Sequence, residues 1–121
     1  MTTYIDRLST TISNTPSTSG NFTLSTAVAN YITLGSGQDQ LYFDVLVFDS
    51  SIPGWEIRTQ CQYTNSTTTL TRGTLVTSST GSAINFTSAA IVSGVLTAER
   101  LQAIQNSIPV DYVNYSFAGG V

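Results

Sequence analysis

Four acidic residues, Asp39, Asp44, Asp49 and Glu56, fall close together along the middle of this 121-residue chain. Two carboxylates held across a sugar can hydrolyse a glycosidic bond, one as acid and the other as base or nucleophile. The rest of the inventory argues against that chemistry. There is no histidine, the residue on which general acid/base work, triads and most metal sites draw. Asp39 and Asp49 flank an apolar run and Asp44 sits inside it, the ordinary positions of loop residues and of an edge-facing charge. A glycan-degrading spike also needs a long β-helix groove, for which the chain is too short. Asp49, Ser50 and Ser51 offer oxygens to calcium, without the spaced ligand loop of an EF-hand. Cys61 is the one cysteine, so no intrachain disulfide forms, and its neighbours predict an inert buried thiol. The expectation is a chain that is not an enzyme, with no cofactor and no metal.

The elements that carry these residues read as strands. Leu41 to Asp49 alternates Leu41, Phe43, Val45 and Val47 with Tyr42, Asp44, Leu46 and Phe48, apolar on both faces, which predicts a central strand. After a turn at Ser51 to Gly54 comes Trp55 to Tyr63, where Trp55, Ile57, Thr59, Cys61 and Tyr63 share one face and Glu56, Arg58, Gln60 and Gln62 the other. That alternation predicts Trp55 in the core and Glu56 in water. Asn65-Ser66-Thr67 closes a hairpin onto Thr68 to Arg72. Tyr4 to Ile12 is expected as a first strand or a short helical turn, and further strands at Asn21 to Ser25, Tyr31 to Leu34, Thr74 to Thr77, Ala83 to Thr87 and Ala90 to Leu96. Asn14 to Gly20 is a Pro- and Ser-bearing loop.

One helix is expected, Ala98 to Asn106, with Thr97 as N-cap, Glu99 in the first turn, Leu101 and Ile104 facing inward, and Pro109 beyond its end. The predicted fold class is mainly β: an antiparallel β-sandwich or partly closed barrel with one short C-terminal helix and an extended tail. Residues 1–107 form the β-domain and 108–121 an extended arm. In the arm Val113, Tyr115 and Phe117 alternate with Asn114 and Ser116, and Tyr112 precedes them. With little charge and no following element to cover them, these four are the candidate interface residues.

Several of these segments resemble a small Ser/Thr-rich β-domain of structural proteins of tailed bacteriophages and prophages. The matching residues are Asp6-Arg7-Leu8 before Ser9-Thr10-Thr11, Trp55-Glu56-Ile57, Tyr63-Thr64, Thr68-Thr69-Leu70-Thr71-Arg72, Leu75-Val76 with Ser78-Ser79, and Ile84-Asn85-Phe86. Thr97 to Leu101 resembles an ending seen in some members. Gly54 stands where the family usually has Asn, and residues beyond Leu101 have no counterpart. The resemblance implies a bacteriophage virion structural protein, assembled in the host cytoplasm and finally located on the virion.

Composition points the same way. Serine and threonine make up close to a third of the chain, charged residues 9%, and lysine is absent. Low charge weakens colloidal repulsion and favours fixed association, so a homo-oligomer, with a trimer favoured, is expected. A net charge of −3 with basic residues only at Arg7, Arg58, Arg72 and Arg100 leaves no stripe for a phosphate backbone, so no nucleic acid is expected. No stretch approaches a membrane span. Sequons at Asn21, Asn65, Asn85 and Asn114 arise by chance in so Ser/Thr-rich a chain. The expected function is a capsid decoration or cement protein on the major capsid protein. The alternative is a tail-fibre, baseplate or tail-tip component contacting other tail components, and a glycan-degrading spike fragment is the second alternative.

Overall fold

The computed structural model describes residues 7–95. Seven strands follow one another as β1 (Ser9–Ile12), β2 (Phe22–Ala27), β3 (Tyr42–Asp49), β4 (Trp55–Thr64), β5 (Thr69–Leu70), β6 (Thr74–Ser78) and β7 (Ala90–Gly94), with single 3-10 turns at Ser36–Gln38 and Asn65–Thr67. Six strands in the order β3-β7-β1-β2-β5-β4 close on themselves because β4 also pairs with β3, and β6 lies outside, against β4. All pairings between strands are antiparallel. The mainly β expectation holds, and the architecture is a closed barrel. The expected helix, Ala98 to Asn106, and the arm 108–121 lie outside the described residues. Among the described residues no helix is long and apolar enough to cross a membrane.

The barrel interior is filled by the alternate residues of each strand. Phe22, Phe43, Val45, Val47, Cys61, Tyr63, Leu70, Phe86 and Val92 are fully enclosed. The expected alternation of β3 is met by Phe43, Val45 and Val47 facing inward and by Phe48 facing out. Cys61 is buried as expected, and that burial pushes its thiol up to about 11. Tyr63 places its hydroxyl on the Leu34 carbonyl at 3.3 Å and the Asn65 side chain at 3.1 Å, so its polar end is satisfied inside the wall.

In β4 the expected faces are inverted over the first half of the strand. Glu56 and Arg58 are buried, whereas Trp55 is 40% exposed. A β-bulge is the cause. Phe43 pairs with Cys61 and Val45 with Arg58, so Asp44 alone faces both Thr59 and Gln60. Gln60 takes up the extra residue at φ +58. One residue of slip moves every side chain before it to the other face. The bulge needs a close neighbour without a side chain: a Cβ on Gly73 would lie 2.2 Å from the Thr59 carbonyl oxygen and 2.8 Å from that of Gln60.

Two expected strands are single bridges instead. Ile32, within Tyr31 to Leu34, pairs only with Leu8, and Phe86, within Ala83 to Thr87, only with Ser17. β4 itself carries two partners along one edge, β6 beside Glu56 to Thr59 and β5 beside Tyr63 and Thr64. The two-residue β5 is what joins β4 to β2 and shuts the barrel.

Candidate interaction face

The acidic residues do not converge on a reaction centre. Glu56 is fully enclosed and bound by two arginines. Arg72 donates from Nε to Oε1 at 2.9 Å and from Nη2 to Oε2 at 3.1 Å. Arg58 donates from Nε to Oε1 at 2.7 Å, and the Ile84 N–H reaches Oε2 at 3.1 Å. The arginines are themselves held. Arg72 donates to the carbonyls of Ser17 and Ile84, its guanidinium lies 5.3 Å and 5.2 Å from the ring centres of Phe22 and Phe86, and Arg58 donates to the carbonyl of Gly73. Burial alone would raise the Glu56 pKa, but the hydrogen bonds and charge of Arg72, with those of Arg58 and Ile84, lower it. A carboxylate whose pKa is lowered and whose oxygens are both engaged inside the fold is poorly placed to deliver a proton or to reach a substrate. It ties β4 to the loops around Ser17, Gly73 and Ile84.

Asp49 is similarly occupied. One oxygen accepts from the Ser51 N–H and hydroxyl at 2.8 Å each, the other from the Thr87 N–H at 2.8 Å and hydroxyl at 2.7 Å. Burial raises its pKa, and these four bonds outweigh that and hold it at about 2. Asp49 thus pins the turn after β3 to the segment leading into β7. Among the described residues no group of acidic or thiol side chains could hold a metal ion. The buried Asp44 accepts from the Thr59 hydroxyl at 2.6 Å, and Asp39 accepts from the Asn65 N–H at 2.8 Å to brace the turn after β4.

Asn keeps only one of the two acceptor oxygens and loses the charge, so Asp49→Asn should cost about 1–3 kcal/mol in urea unfolding. The sign with pH follows from the depressed folded value. Against an unfolded Asp near 3.9, the stabilisation is complete above about pH 4 and disappears as pH falls towards 2. The variant should therefore lose less stability than the parent across that window.

Among the described residues, apolar side chains left outside the core lie on the outer wall of the barrel. Phe48 of β3 pairs with Trp55 of β4 on one side and Ile91 of β7 on the other. The next outward row is Ile57, Leu46 and Ser93 in the same register. Trp55 and Phe48 stand 40% and 38% exposed, while Leu46, Ile57 and Ile91 are half-buried. Beside these rows runs a surface groove of about 470 Å³, whose walls include Arg7, Leu8, Tyr31, Phe48, Ile91 and Gly94. Tyr31 is half exposed at its rim. These rows and the groove adjoin on the outside of the barrel. Sequence reasoning misses them because the bulge at Gln60, which turns Trp55 outward, has no signature in the residue types of β4. The four candidate interface residues, Tyr112, Val113, Tyr115 and Phe117, lie outside the described residues. No family model, curated protein or solved structure matches the chain.

Proposed function

We propose that this chain is a non-enzymatic structural subunit of a tailed-phage virion, and within that class a capsid decoration protein. The observation that carries the reading is the outward row Trp55, Phe48 and Ile91 on a barrel whose Glu56 and Asp49 are spent on internal bonds. A scaffold with engaged acids and a free apolar wall suits attachment. The resemblance of the Trp55 to Phe86 block to phage β-domains supplies the virion context, and low charge suits packing beside copies of itself and the major capsid protein. A trimer places three such walls about one axis. The same resemblance also favours a second reading, a tail-fibre, baseplate or tail-tip component, because domains of this type occur within fibre chains.

Copy number in purified particles distinguishes the two. A stoichiometry that follows the repeats of the shell supports decoration, and a few copies matching the low-order symmetry of the tail support the second reading. Absence from particles overturns both. Turnover of capsular or cell-wall glycans, abolished by substituting Asp44 or Glu56, would refute the non-enzymatic assignment.

The arm, residues 108–121, takes part in this assembly by laying Tyr112, Val113, Tyr115 and Phe117 on a neighbouring subunit or on the shell. Burying a few hundred Å² of apolar surface is worth several kcal/mol at about 25 cal/mol per Å², before the cost of ordering. A chain truncated after Ser107 should keep near-native circular dichroism but lose its oligomeric state or its occupancy on particles. Normal assembly of the truncated chain would refute the arm, and failure to fold would make the segment an internal strand.

A further inference from the structure

Closure gives every strand of the barrel a neighbour on both sides, and β6 (Thr74–Ser78) is the strand left outside. Among the described residues it pairs with β4 alone. Alternate N–H and C=O groups of such a strand point away from its one neighbour, and the backbone of Thr74 to Thr77 makes no hydrogen bond beyond β4 among the described residues. Exposed edges are ordinarily blunted by charged side chains, by proline or by bulges. β6 has a bulge at Val76, since Thr77 lies opposite Ile57 and Leu75 opposite Arg58, but it carries neither charge nor proline. No charged residue occurs between Arg72 and Glu99, and the charges of the adjoining strand, Glu56 and Arg58, are buried. Val76 is 39% exposed, with Thr74 and Thr77 exposed beside it.

From this open, uncharged edge we propose that β6 pairs antiparallel with β6 of a second copy of the chain, about a two-fold axis close to Val76. One strand edge is complementary to another, and this edge meets its own copy with no like charges opposed. A charged partner strand would find no counter-charge here. Centred on Val76, the pairing sets Thr74 opposite the partner's Ser78, Leu75 opposite the partner's Thr77, and Val76 opposite its own copy. Thr77 lies beside Ile57, so the outward row of Ser93, Leu46 and Ile57 runs on into β6. A two-fold axis normal to the sheet continues it into the second barrel, and two outer walls become one surface. Five residues of edge bury less than a lasting free dimer needs, so the pair is reversible in solution and persists where copies are already held side by side. The proposal rests on the fold and is independent of the virion reading, and its axis is separate from that of any three-fold association.

Cysteine scanning in the full-length chain tests it. Cys61 is fully buried and stays in place. Val76→Cys and Thr77→Cys are each compared with Leu41→Cys, a position 37% exposed that borders Tyr63 rather than β6. Under diamide at equal protein concentration, at least one of the two β6 cysteines should form disulfide-linked dimers several-fold faster than Leu41→Cys, because only residues on or beside the axis meet their own copies within disulfide reach. Equal rates at all three positions overturn the proposal. Sedimentation velocity provides a readout without added thiols. The weight-average mass of the parent should rise with concentration, and Val76→Lys should shift that rise to about tenfold higher concentration with unchanged circular dichroism, since two lysines then meet at the axis. A mass independent of concentration, or a rise that Val76→Lys does not move, refutes the pairing. Maleimide labelling of Val76→Cys tests the other occupant: a thiol that stays protected on dilution would assign the edge to the chain's own residues outside 7–95 and overturn the proposal equally.

Discussion

Glu56→Gln should destabilise the protein by about 3–5 kcal/mol, the cost of removing one partner from a buried ion cluster. The size follows from what is left behind. Arg72 and Arg58 stay in place with side chains only 2% and 10% exposed, and an amide neither carries the compensating charge nor accepts on both atoms. Arg72 retains the carbonyls of Ser17 and Ile84 and the rings of Phe22 and Phe86, so it cannot swing out to water without breaking those contacts. For a domain of this size such a loss is a large share of total stability. Urea denaturation with an unchanged m-value is the measurement. A loss under about 1 kcal/mol would mean that Glu56 is not the charge holding these loops. Because the folded Glu56 pKa is depressed, its stabilisation is complete above the unfolded value near 4.3. It is lost as pH falls through the folded value. The parent should therefore weaken in acid more steeply than the Gln variant.

Phe86→Ala should cost about 3–5 kcal/mol, whereas Trp55→Ala should cost no more than about 1 kcal/mol. Phe86 is 1% exposed, meets Phe22 edge-on at 6.3 Å between ring centres, and forms one of the two aromatic faces around Arg72. Its removal opens a cavity and strips a buried cation of its aromatic neighbour. Trp55 is the larger side chain, but on the outer wall it loses only part of its contact with Phe48. Thermal melts of the two variants in parallel decide the matter. Equal losses, or a larger one at Trp55, would return Trp55 to the core and remove it from the interaction face. If the proposed function holds, the Trp55 variant should melt close to the parent yet occupy particles less well, a separation that a core residue does not give.

Much of the fold is legible in residue types alone. The alternation of Phe43, Val45 and Val47 is enough to place β3, and polar turns bound β4 and β7, because a strand's inward face must be apolar at a period of two. The absence of histidine and the lone Cys61 constrain chemistry whatever the fold. Other features belong to the assembled barrel. Tyr31 to Leu34 and Ala83 to Thr87 have strand-like composition but find a single bridge each, since a strand exists only where a neighbour offers a matching edge. Closure through the two-residue β5 depends on β2 and β4 arriving on either side of it. Above all, the orientation of Trp55 and Glu56 is decided by a two-against-one count opposite Asp44, made possible by the close approach of Gly73. Alternation along a strand specifies two faces, but which is inside depends on register with the neighbouring strand. In this protein that register buries a glutamate with two arginines and turns the tryptophan outward.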